Sequence, residues 1–328
     1  MSWNEADRLK YAAIGGRYSS DLSDAEFALI APLLPAARKR TDPRIILNAL
    51  FYLVRSGCPW RLLPKDFPPF TTVQNQFYAW RDSGLWTQII AVLVMAAREA
   101  QDREAAPTAV VVDSQPVKTT EAGGPRGYDA AKSPQRGALS AEIKGRKRQL
   151  AVDTLGLPIA CQITTADVQD RDALAPLLKD VHAKSPFVTM AFLDSGYQGG
   201  EAQQVAFKAS RIAMTVVKRT DKSPQRGALS AEIKGFVALP KRWVVERTFG
   251  WINRARRLAK DFEATLKSAL AWLQIALAFL VIRRAQAWWR TGMSWGRQTV
   301  RHPLSGKRQH GRRATGGESN RHYRSARQ

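Results

Sequence analysis

The chain has 328 residues, 45% of them hydrophobic, and a formal net charge of +23. That length allows two or three packed units, and such a charge points to a polyanionic partner, most often nucleic acid. Two distant cysteines, Cys58 and Cys161, exclude a disulfide framework and a zinc-ligand spacing.

Residues 1–20 read as a polar arm. Ser23 with Glu26 three residues on forms a capping box, and Phe27, Ile30, Leu33 and Leu34 follow at helical spacing until Pro35. A second helix starts at Thr41–Asp42–Pro43 and stops at Gly57. GCPWRLLPKDFPPF is a Pro-rich turn. A third helix covers about 71–83 and a fourth about 86–103. Helices joined by tight turns, with Gln74, Asn75 and Arg81 on a late one, resemble a helix-turn-helix DNA reader. Amide and guanidinium groups match adenine and guanine edges, and they suit a solvated helix face equally well.

From Ala109 the period changes. AVVVD is a strand that ends in an acid; RKRQLAVDTLG and LPIACQITT form a hairpin about Gly156. A helix over 170–184, a strand over 187–193 ending in Asp194, a helix over 200–210 and a strand over 212–217 follow. A last helix spans 240–260. This order predicts an α/β fold, a ribonuclease H-like mixed sheet with flanking helices, behind an all-α helix-turn-helix-like domain. The domains are 1–20, 21–105, 106–290 and a basic tail, 291–328, rich in Arg, Gly and Ser.

KSPQRGALSAEIKG occurs twice without change, at Lys132–Gly145 and Lys222–Gly235. Neither copy has core periodicity. Two perfect copies indicate an in-frame duplication, with insertions at about 133–142 and 223–232, placed between elements where added length is tolerated best.

Asp113 and Asp194 each end an apolar strand, and Glu246 sits in a basic, aromatic helix. Buried carboxylates need a partner. Histidine is sparse: His182 lies in the body, and His302, His310 and His322 lie in the tail. A metal site would therefore be built from carboxylates, which suit Mg²⁺ or Mn²⁺. Asp153 reads as structural, and Asp167, Asp170 and Asp172 as helix-start acids. The tryptophans read as packing residues. Lys118, Arg126, Arg146, Lys147 and Arg148 flank the first acid's strand and fit either a DNA channel or a solvated face. The N-terminus has no signal-peptide pattern, and the apolar run Ser268–Ile282 is too short to span a bilayer. A cytoplasmic protein with no membrane partner is expected.

The segments DLSDAEFALIAPLLP, GCPWRLLPKDFPPFTTV, VVVDSQPVKTTEAGGPRGYDA, VDTLGLPIA, ADVQDRDA, DSGYQG and LPKRWVVERTFGWINRARRLAKDFE together closely resemble the bacterial insertion-sequence transposases of the DDE type, IS-five family. The resemblance covers about 18–290. It implies Asp113, Asp194 and Glu246 as catalytic acids holding two Mg²⁺ ions, with Arg242 four residues before Glu246 on the same helix face. It implies double-stranded DNA as partner (the element's terminal inverted repeats and the target) and a homodimer or larger assembly. The broader group often has Tyr where this chain has Leu239, and Lys where it has Asn253; Arg254 then takes the phosphate role. The implied activity is strand cleavage at element ends and transfer of the 3′-OH into target DNA. Alternatives are a remnant that only binds DNA, impaired by the duplicated inserts, and a ribonuclease H-like nuclease.

Overall fold

The computed structural model describes residues 18–35, 41–121, 124–128, 144–216 and 242–291. Both repeat copies lie outside these ranges except for Lys144 and Gly145, as do Leu239, the arm to residue 17 and the tail from residue 292.

Four helices open the chain: α1 (Asp24–Ile30), α2 (Pro43–Ser56), α3 (Phe70–Asp82) and α4 (Leu85–Glu99). The capping box is formed, with Ser23 Oγ accepting from the Glu26 N–H and Glu26 from the Ser23 N–H at 2.8 Å. Asp42 caps α2, and Gly57 ends it in the left-handed region. The fourth helix stops four residues before the expected Arg103.

The sheet follows the expected order. Its strands are β1 (Ala109–Lys118), β2 (Gly127–Tyr128), β3 (Lys144–Asp153), β4 (Pro158–Thr165), β5 (Met190–Leu193) and β6 (Ala213–Val216). β1, β3 and β4 are antiparallel neighbours, β2 pairs the start of β3, and β5 and β6 extend β1 in parallel. This is the ribonuclease H-like arrangement: a mixed sheet whose central strand faces an antiparallel half on one side and a parallel half on the other. Helices α5 (Asp170–Lys184) and α6 (Gly200–Ser210) connect the parallel half. Helices α7 (Arg242–Ile252) and α8 (Leu266–Thr291) complete the fold.

Two sequence expectations are corrected here. The helix expected over 240–260 ends at Ile252, followed by a turn and a short 3₁₀ segment, Arg256–Leu258. Arg257 is drawn away by the Cys58 carbonyl at 3.3 Å and by Glu263 at 2.7 Å, tertiary contacts that override an Arg-rich helical sequence. The apolar run Ser268–Ile282 lies in a longer helix, α8, which by length and composition alone is sufficient to cross a membrane. It packs instead against α4, α2 and β4, with Trp272, Ile275, Leu277, Val281 and Ile282 buried.

Buried ion pairs fasten the opening helices to this core. Arg283 of α8 reaches the fully buried Glu26 at 3.1 Å and donates to the Asp21 carbonyl at 2.7 Å. Glu26→Gln keeps the acceptor for the capping box but removes the charge facing Arg283. We expect it to lower unfolding stability by about 1–2 kcal/mol in urea, since Arg283 is partly solvated. Burial pushes the Cys161 thiol up to about 12. In the native protein, thiol reagents at neutral pH should therefore modify Cys58 and leave Cys161 intact until denaturant is added.

Candidate active site

The site begins with the pairing of two parallel strands. Val112 of β1 stands opposite Leu193 of β5 in the ladder that starts at Ala109 and Met190. The next position on each chain is an acid, Asp113 and Asp194. The β-branched run of β1 is buried, so the strand is held centrally and presents its acid where burial gives way to partial exposure. The Ser114 N–H donates to Asp113 Oδ1 at 2.8 Å. By strand alternation Asp113 shares a sheet face with Gln115, and Gln115 meets Arg148 of β3 at 3.5 Å. Arg148 donates on that face to the Leu258 carbonyl at 2.7 Å, so Asp113 lies on the side covered by α7 and the segment after it.

On the opposite face of the sheet, towards α5, sits a buried phenol. Tyr197 is 1% exposed and donates to Gln149 Oε1 at 3.2 Å. Burial pushes it well above the usual tyrosine range, and the negative charges of Asp170, Asp113 and Asp194 push it further in the same direction. It therefore stays protonated at any working pH. Tyr197 thus lies with Gln149 and Ser114 on one face of the sheet, whereas Asp113 faces the other. Asp170, read from sequence as a helix-start acid, does begin α5; its Oδ1 lies 3.4 Å from Lys147 Nζ. Tyr197 and Gln149 carried no sequence signal beyond the DSGY motif and strand alternation.

Glu246 is exposed on α7, which packs against β1 and β3 through Val244, Val245, Thr248 and Phe249. Two residues beside Glu246 lock the helix to the β3–β4 turn. Thr248 Oγ1 donates to the Gly156 carbonyl at 3.0 Å, and Arg247 donates to the Leu155 carbonyl at 3.1 Å. Arg247 lies between the Trp243 ring at 4.3 Å and the Trp251 ring at 4.5 Å. Burial, with repulsion from Arg284, lowers its guanidinium to about 9. Trp243 is thus 45% exposed rather than a core residue. Among the described residues no three His, Cys, Asp or Glu side chains are grouped closely enough to hold a metal. The strand register makes Asp113 and Asp194 neighbours; Glu246 stands on the covering helix without closing a three-acid cluster.

The donor set nevertheless fits a hard divalent cation. Two half-buried carboxylates on adjacent strands repel unless positive charge is shared between them, and oxygen-only ligands suit Mg²⁺ or Mn²⁺.

Among the residues expected to meet DNA, Arg146, Lys147 and Arg148 are corrections. All three are buried on β3, at 0%, 4% and 3% exposure. Arg146 pairs with Asp261 at 3.0 Å, Lys147 donates to the Val168 carbonyl at 2.9 Å, and Arg148 to Leu258. The strand is covered on both faces, so its cations hold flanking segments instead of lining a channel. Arg81 is likewise engaged, by both Asp82 oxygens at 2.8 Å and by Ser268 at 2.9 Å, joining α3 to α8. Gln74 bonds Tyr78 at 3.3 Å, while Asn75 is exposed. Lys118, Arg126 and Arg254 are exposed; the Arg242 side chain lies outside the described set. Asp153 is structural as expected: fully buried, paired with Arg98, and accepting from the Leu155 and Leu157 N–H groups.

Comparison with known proteins identifies the family. Residues 22–90 match the family described as "Putative transposase of IS4/5 family (DUF4096)", and residues 104–281 match the transposase DDE domain. "Putative transposase for insertion sequence element IS402" of Burkholderia cepacia is 29% identical over 154 residues, 43% of this chain and 66% of that protein. "Uncharacterized protein y4sN" of Sinorhizobium fredii is 34% identical over 84 residues, 24% of this chain and 65% of that protein. The chain thus spans just under two thirds of the length of these relatives. A crystal structure of a pre-cleavage Mos1 transpososome aligns over 87% of this chain and 84% of its own, at 12% identity and a TM-score of 0.29. The DDE domain match covers more than half of the sequence and contains Asp113, Asp194 and Glu246; on that match the chain belongs to the DDE transposases, and the match over residues 22–90 makes it one of the insertion-sequence type.

Proposed function

We propose that this chain cleaves DNA strands at the ends of an insertion sequence and transfers the freed 3′-OH into target DNA. The observation that carries the reading is the β1–β5 register, which makes Asp113, midway along β1, and Asp194, just past the end of β5, neighbours where the parallel ladder ends. Asp113 and Asp194 would hold divalent metal (two Mg²⁺, or Mn²⁺ in their place), and Glu246 would join them from α7. Metal bound there supplies Lewis acidity to the scissile phosphate and a more acidic water. The carboxylates would fix the charge that keeps such ions in place. Water frees the 3′-OH, and that hydroxyl attacks the target phosphodiester in line. No covalent protein intermediate is needed. Lys118, Arg126 and Arg254, with Arg242, Gln74 and Asn75, are proposed DNA contacts. The partner is double-stranded DNA in the cytoplasm, with the terminal repeats and target brought together by a homodimer or larger assembly. Residues 21–105 would recognise DNA and 106–290 would act on it.

A second reading, a remnant that binds DNA without cutting, is favoured by the duplicated segment and by the open arrangement of Glu246. The experiment is strand cleavage and joining on a labelled duplex carrying the element's own ends, in Mg²⁺. It compares the intact chain with one lacking Ser133–Glu142 and Ser223–Glu232. Activity in either chain supports the catalytic domain; inactivity of both, with binding retained, establishes the remnant.

A further inference from the structure

The Pro-rich turn between α2 and α3, which contains one short 3₁₀ segment, Trp60–Leu62, is no part of the candidate active site. It is built to be rigid. Gly57 opens it at φ 71°, and a Cβ there would lie 3.0 Å from Arg256 Cβ, so the turn starts pressed against the segment that follows α7. Arg257 donates to the Cys58 carbonyl at 3.3 Å. The Trp60 ring stands 5.4 Å from Trp272 and 5.6 Å from Phe77, with the Arg257 guanidinium 5.5 Å from its centroid. The backbone closes on itself through Leu62 N–H to the Pro59 carbonyl at 2.9 Å and Phe67 N–H to the Pro64 carbonyl at 3.1 Å. Phe67 is buried, and four prolines fix backbone angles along the turn.

On this rigid base the side chains of Arg61, Leu62 and Lys65 are exposed, as is that of Asp66. Leu62 is 68% exposed, level with the most exposed large apolar side chain among the described residues. A single exposed leucine needs no explanation by itself. Here it is held at the tip of a turn that has no freedom to fold it away, with a cation on either side and exposed Arg55 and Arg256 beside its base. The nearby acid, Asp66, accepts from the Tyr18 hydroxyl at 2.6 Å. An apolar side chain flanked by cations on a stiff support is the arrangement that unstacks and kinks a duplex.

We infer that Leu62 is a wedge that enters the base stack of duplex DNA at a kinked step, with Arg61 and Lys65 on the flanking phosphates. This rests on the chain acting on duplex DNA, but not on the metal chemistry. The test uses the full chain in EDTA and measures binding to a short perfect duplex and to the same duplex carrying a bulge. A wedge favours the bulge, where unstacking is already partly done. The intact chain should prefer it about tenfold, and Leu62→Ala should reduce that ratio to about one while changing perfect-duplex affinity by less than about threefold. Arg61→Ala and Lys65→Ala should weaken both duplexes alike and reduce the salt dependence. Asp113→Asn should keep the preference, which separates failure of the wedge from failure of the catalytic reading. An intact chain without preference, or Leu62→Ala with the preference unchanged at an unchanged Tm, overturns the wedge. So does a smaller assembly on sedimentation of Leu62→Ala, which would make Leu62 a contact between copies of the chain.

Discussion

Asp113→Asn is expected to abolish Mg²⁺-dependent strand cleavage and joining, with a loss of about 10³-fold or more, because a lost metal carboxylate forfeits several kcal/mol of charge stabilisation. The substitution is nearly isosteric. The amide oxygen still accepts the Ser114 N–H, so the local backbone turn survives. What disappears is one of the two negative charges that the β1–β5 ladder sets side by side, Asp113 and Asp194. Relief of like-charge crowding should leave the Tm unchanged or slightly raised in the absence of metal, and DNA binding in EDTA should be retained. A structural aspartate would behave in the opposite way, losing stability while native molecules keep their activity. Asp153→Asn is the matched control for that behaviour. If Asp113→Asn cuts DNA at the rate of the intact chain, the proposed chemistry is wrong.

Arg98→Met should lower unfolding stability by about 3–5 kcal/mol, read from the urea midpoint, because it strands a buried carboxylate. Arg98 sits on α4 and Asp153 at the end of β3; both are buried, and the pair joins the opening helices to the sheet. Asp153 would keep only the Leu155 and Leu157 N–H groups as partners. The same turn offers the Leu155 and Gly156 carbonyls to Arg247 and Thr248, the residues that seat α7 beside Glu246. The loss should therefore spread from stability to catalysis: residual cleavage should fall further than the folded fraction does. Residual cleavage that simply tracks the folded fraction would show that α7 is seated without help from this turn.

Much of this architecture was legible in the sequence because the strongest signals were local. Apolar runs leading into acids marked β1 and β5, and the VDTLG turn marked both the hairpin and a structural Asp153. The capping box at Ser23 and Glu26 and the stop at Gly57 needed only neighbouring residues. The failures were nonlocal. RKR in β3 reads as the basic face of a solvated hairpin, since nothing nearby reveals that Asp261, Leu258 and Val168 will cover both sides of the strand. The Arg-rich stretch after Ile252 reads as helix, since its breaking contacts, Cys58 and Glu263, depend on the tertiary fold. Tyr197 reads only as part of the DSGY motif, and its contact with Gln149 depends on how the segment after β5 packs on β3.

The pairing of β1 with β5 has a consequence for how such a chain tolerates change. The separation of Asp113 and Asp194 is set by the width of one strand step, fixed by backbone hydrogen bonds, whereas one repeat copy lies in the chain between them. Length gained in that interval leaves the gauge untouched, provided each strand re-enters in phase; Gly145, whose Cβ would strike the Val117 carbonyl at 2.0 Å, marks where β3 must resume. A shift of one residue within β1 would turn its acid to the other side of the sheet. Lesions in this gene should thus divide by phase rather than by size: long additions between elements are survivable, and single-residue losses inside four ladder positions are not.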